Sequence, residues 1–161
     1  DDDPWGLCQG LAGSEGVHCR RGFANRNDEE VPVTVIVMPK AGTGHPTREK
    51  LWRGFLAHRQ LAAGGCVMHS LGVADRDPEE TLFYYEHVKA RPLTVLLARR
   101  RLKEGDLLFR HWARCALMCM AQLSEESTFT LETRVTMSNL NVGAQGLVVR
   151  LGGLRWGPEV Q

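Results

Sequence analysis

Asp77-Pro78-Glu79-Glu80-Thr81-Leu82-Phe83-Tyr84-Tyr85-Glu86-His87-Val88 is the stretch whose conformation decides the fold. Its first four residues carry a helix-start pattern. Asp77 is a capping residue, Pro78 falls at the first helical position, and Glu80 lies three residues past the cap. Glu79 and Glu80 suit the positive end of a helix dipole, and Lys89 and Arg91 suit the negative end. Leu82, Tyr85 and Val88 or Lys89 share one helical face, and Pro92 stops the run. The expectation is a helix that begins at Pro78 and ends before Pro92.

Downstream, Leu93 to Ala98 is a short apolar run bounded by Pro92 and by Arg99-Arg100-Arg101, and it reads as a strand. Glu104-Gly105-Asp106 is a turn. Leu107 to Leu123 contains no β-branched residue, and Leu108, Trp112, Cys115, Cys119 and Leu123 form an i, i+4 stripe, so a helix capped by Asp106 is predicted. Thr128 to Met137 alternates apolar and polar residues as a half-exposed strand does. Asn139 to Gly146 reads as a loop, and Leu147 to Leu151 as a strand antiparallel to the preceding one.

Upstream, Cys66 to Leu71 is a strand candidate. Thr47 is placed to cap a helix from about Arg48 to Ala63, with Leu51, Phe55, His58 or Arg59, and Ala62 at helical spacing. Val31 to Met38, with Pro32 near its start and Pro39 closing it, is apolar on both faces and fits an interior strand. Residues 1–30 are interrupted by glycine and read as an irregular arm before a single globular domain spanning 31–161.

The order strand, helix, strand, helix, strand, helix, strand, strand implies an α/β or α+β fold, with a mixed sheet of about five strands and about three helices. Its core would be parallel and joined by right-handed crossovers, with an antiparallel pair at the edge. A β-sandwich is the alternative, if Leu107 to Leu123 and part of Thr81 to Val88 are strands instead.

The 161 residues are enough for one domain to bury a core without a metal or disulfide staple. Twenty basic against 19 acidic residues leave a net charge of +1, which gives no general attraction to nucleic acid or to an anionic membrane. No apolar run is long enough to span a bilayer. Cys8 and Cys19 flank a glycine-rich segment and are spaced to close a small loop, which leans towards a secreted rather than a cytoplasmic protein. His111, Cys115 and Cys119 fall on one helical face, but neither a Cys-x-x-Cys nor a His-Glu-x-x-His pattern supports a metal site, and no cofactor is implied.

No motif specifies a chemistry. The loop Lys40, Gly42, Thr43, Gly44, His45 would sit at a helix start, where backbone amides can hold an anion. With His69, Asp75 and Arg99 it would form a rim for a phosphate- or carboxylate-bearing ligand, and His45, His69 and Asp75 are the catalytic candidates there. Ser70 lies beside His69, but adjacent strand residues point to opposite faces. The basic run Arg99, Arg100, Arg101 and Lys103, together with Tyr84, Tyr85 and Trp156, supplies the charge and aromatic area of an interface. The absence of a complete catalytic set favours a non-catalytic module that binds a protein partner, one complementary to the basic run and therefore acidic. A small enzyme or binder of an anionic ligand is the alternative.

Overall fold

The computed structural model describes residues 16–62, 65, 67–87, 89–99, 106–125, 140–143 and 148–151. They form a mixed α/β fold of two antiparallel sheets and three helices, not a β-sandwich. The first sheet has the order β1-β2-β4-β3, from β1 (His18–Arg26), β2 (Glu29–Pro39), β3 (Ser70–Ala74) and β4 (Glu80–Glu86). The second has the order β5-β6-β7, from β5 (Ala90–Pro92), β6 (Leu140–Gly143) and β7 (Val148–Leu151). The helices are α1 (His45–Leu61), α2 (Leu93–Arg99) and α3 (Leu107–Glu125).

Hairpin β1–β2 turns through Asn27 and Asp28, both with positive φ (52° and 64°), so that Arg26 pairs with Glu29. Short polar side chains tolerate this left-handed backbone better than other non-glycine residues. β2 is buried on both faces, as its valine-rich pattern implies. Ile36 and Met38 point to the α1 side with Phe83 and Tyr85, whereas Val33, Val35 and Val37 cluster on the other side with Leu82 and Tyr84.

Besides this valine cluster two cores form, and α1 belongs to both of them. Leu51 and Phe55, near its start, pack on the first sheet, where Phe55 meets Phe83 and Tyr85 at ring separations of 5.9 Å. Ala57, Leu61 and Ala62, near its end, join Leu93, Trp112, Cys119, Leu140, Val142 and Val149 in the second core. Between the two sets lies His58, fully buried. Its Nδ1–H donates to the Met68 carbonyl at 2.9 Å, and its ring meets Tyr85 edge-on. Gln122 of α3 donates to the Leu61 carbonyl at 2.7 Å and so satisfies one acceptor left open at the end of α1.

Several expectations are corrected. The stretch from Asp77 is a turn followed by strand β4, not a helix. The Asp77 carboxylate does accept the Glu79 N–H at 2.7 Å, but it closes a turn instead of a helix cap. Thr81, Phe83 and Tyr85 then face the core in strict alternation. Leu93 to Arg99 is helix α2, not a strand, because Leu93, Leu96 and Leu97 meet the second core at helical spacing. With these two elements exchanged, every ladder among the described residues is antiparallel, in place of the expected parallel crossovers. His18–Arg26 is a strand instead of part of an irregular arm. The strand expected from Cys66 begins at Ser70, and Leu140–Gly143, read as loop, is the partner of β7. Gly44, not Thr47, is the N-cap of α1. The helix starting at Asp106 is present: its carboxylate accepts the Leu108 N–H at 2.9 Å, and its carbonyl accepts the Arg110 N–H at 3.0 Å. The strand expected over 128–137 lies outside the described residues.

Candidate functional site

An open groove of about 910 Å³ crosses the first sheet at the hairpin end. All four strands contribute to it: Ala24 to Arg26 from β1, Val31 and Pro32 from β2, Tyr84 and Glu86 from β4, and the segment from His69 to Val73 at β3. Strand alternation explains the floor. Ala24, Val31 and Tyr84 project to the face away from α1, and the small Gly72 pairs with Tyr84 and leaves room above it. A bulge between Ser70 and Gly72 turns Leu71 outward to the rim.

The polar end of the groove is tied down. Glu86 N–H donates to the His69 carbonyl at 2.9 Å, and His69 N–H returns a bond to Glu86 Oε1 at 3.1 Å. Arg150 of β7 adds a third contact, Nε to Glu86 Oε1 at 3.2 Å, while its Nη1 donates to the Gly65 carbonyl at 2.5 Å. The Glu86 charge is therefore neutralised, and its carboxylate is fixed. His87 shares a hydrogen bond with Thr34 Oγ1 at 2.9 Å. Burial lowers its pKa, and the Arg21 charge lowers it further, so its ring is neutral at pH 7. Ser70 Oγ is buried without a hydrogen-bond partner among the described residues, so no base activates it there.

The sequence-derived rim does not assemble around one point. Lys40, Thr43 and Asp75 meet at the far end of the sheet, whereas His69 lies at the opposite end of β3 with Glu86. Lys40 Nζ donates to the Asp75 carbonyl at 2.9 Å and pairs with its carboxylate at 3.2 Å. The Thr81 hydroxyl first, and then Lys40, hold the Asp75 pKa below its usual value. Thr43 is buried, with its hydroxyl bound to the Pro39 carbonyl. Gly42 has φ of +86°, a left-handed turn that glycine adopts without strain. His45 is exposed, 3.8 Å from Glu49.

Of the aromatic candidates, Tyr84 lines the groove and Tyr85 is 3% exposed, a core residue instead of an interface one. Arg99 is exposed at the end of α2; Arg100, Arg101, Lys103 and Trp156 lie outside the described residues. Cys19 packs partly buried against the first core, and Cys8, proposed as its disulfide partner, lies outside the described residues. Cys115 Sγ lies 3.8 Å from His111 Nε2, and burial raises its pKa, which keeps the thiol protonated. Among the described residues no three metal-ligating side chains converge, and no helix is long and apolar enough to cross a membrane.

Sequence reasoning singled out Tyr84 and His69 but missed Glu86, Arg150 and Arg26. Glu86 and Arg150 are far apart in sequence and meet only because the second sheet packs against the end of the first. The chain matches no known protein family and no curated protein.

Proposed function

We propose that this domain is a non-catalytic protein-binding module whose sheet groove takes a short extended segment of a partner. The observation that carries this reading is the groove itself, floored by Tyr84 and walled by apolar Val31, Pro32 and Leu71. Strands about 4.8 Å apart make a four-stranded groove roughly 15 Å wide, the span of four or five extended residues. Arg26 lines one wall, and the only carboxylate at the opposite end among the lining residues is already neutralised by Arg150. The charge left over is positive, which favours a segment carrying Asp or Glu.

Display of random hexapeptides tests the reading. Selection should enrich sequences that combine an apolar residue with a carboxylate. Their affinity should fall at least about tenfold in Tyr84→Ala, as for an aromatic hot spot, and fall with added salt through Arg26. Equal enrichment by the wild type and Tyr84→Ala would reject the groove as the site.

Binding of a small anion at the turn before α1 is the second reading. It has less support, because the Lys40 ammonium and the Thr43 hydroxyl are already engaged within the chain.

A further inference from the structure

We infer that the outward face of α3 is a second docking surface, independent of the sheet groove, and that it receives an acidic amphipathic helix from a partner protein. The inward face of α3 is ordinary: Trp112 and Cys119 are buried in the second core, with Leu108, Cys115 and Leu123 packed beside them. The opposite face of such a helix is normally polar. Here it exposes Leu107 (81%), Leu117 (65%), Met118 (57%) and Met120 (52%). Exposed apolar surface concentrated on one element marks an interaction site. Unbranched methionine adapts to varied partner side chains, which suits a docking surface more than a solvated one.

Charge selects the partner. Arg110 and Arg114 are exposed, one turn apart, between Leu107 and Leu117 on the helical succession 107, 110, 114, 117. No acidic residue occurs from Leu107 to Leu123. The face is thus apolar and cationic over the stretch from Leu107 to Ala121, roughly 21 Å at 1.5 Å per residue. A partner helix of four turns matches that length, and carboxylates one turn apart on it would meet the two guanidinium groups. An anionic membrane fits less well, since electrostatic anchoring uses clusters of roughly four to eight basic residues. A second copy of the chain would bring its own Arg110 and Arg114 to a strip that is already cationic.

The test uses the full chain and a synthetic 18-residue amphipathic helix with a leucine stripe flanked by glutamates. Two controls are the same peptide with lysine for glutamate, and vesicles containing 30% phosphatidylserine. The acidic peptide should bind at least tenfold more tightly than the lysine peptide. Arg110→Glu with Arg114→Glu should reverse that preference, and Leu117→Gln with Met120→Gln should abolish binding to both. These side chains are exposed, so far-UV circular dichroism and the melting temperature should stay those of the wild type, and Tyr84→Ala should bind the peptide normally. The proposal is overturned by equal affinity for the two peptides, by retention on vesicles without peptide binding, or by concentration-dependent dimerisation that Leu117→Gln prevents.

Discussion

At the scale of single residues, His58 shows how burial sets chemistry. Its ring has lost its water, which lowers its pKa from 6.5 to about 4, and the bond to the Met68 carbonyl opposes the shift only in part. The unfolded chain takes up this proton near pH 6.5, whereas the folded chain refuses it until about pH 4. Stability from this group is therefore complete above pH 6.5 and is lost as the pH falls towards 4. The shift corresponds to about 3 kcal/mol. Urea midpoints measured at pH 7 and pH 4 should show a smaller fall in His58→Gln than in the wild type. An equal fall would mean that the ring is charged in the folded state. Tyr84 and Tyr85 make the complementary point about legibility. The helical reading set Tyr85 with Leu82 on one face yet kept both tyrosines as interface residues, whereas strand alternation puts Tyr85 in the core and Tyr84 in the groove.

At the scale of elements, the aspartates at 77 and 106 carry the same local chemistry with different outcomes. Each accepts a backbone N–H two residues on. After Asp106 the chain runs through Leu, Ala and Met, residues that favour a helix, and α3 follows. After Asp77 it runs through Thr81, Phe83, Tyr84 and Tyr85, residues that favour a strand, and the turn feeds β4. A capping pattern alone could not tell these apart; the propensity of the ten residues behind it could. The valine alternation of β2 was legible because both periodicity and composition agreed. Leu93 to Ala98 was misread because five apolar residues around Thr94 fit either period, and contact with a core built from distant segments decided it. Asp106→Ala should cost about 1 kcal/mol, the usual value of an N-cap, read as a lower denaturation midpoint. No change at all would show that the Leu108 N–H finds an equivalent acceptor in water.

At the scale of the whole molecule, α1 is the member common to both cores, so they cannot melt separately. Phe55→Ala removes a ring from the first core and Trp112→Ala removes one from the second. Each should cost about 3–5 kcal/mol, and each should lower one shared transition in calorimetry. Two resolved transitions, each moved by only one substitution, would contradict this coupling. A chain severed between Glu86 and Ala90 would keep the first sheet and α1 on one piece and α2, α3 and the second sheet on the other. Leu61 and Ala62 would then be bare on the first, Leu93, Trp112 and Leu140 on the second. Made apart, the halves should precipitate; made in the same cell, they should find each other and co-purify, a property suited to a split reporter that lights up only on reunion.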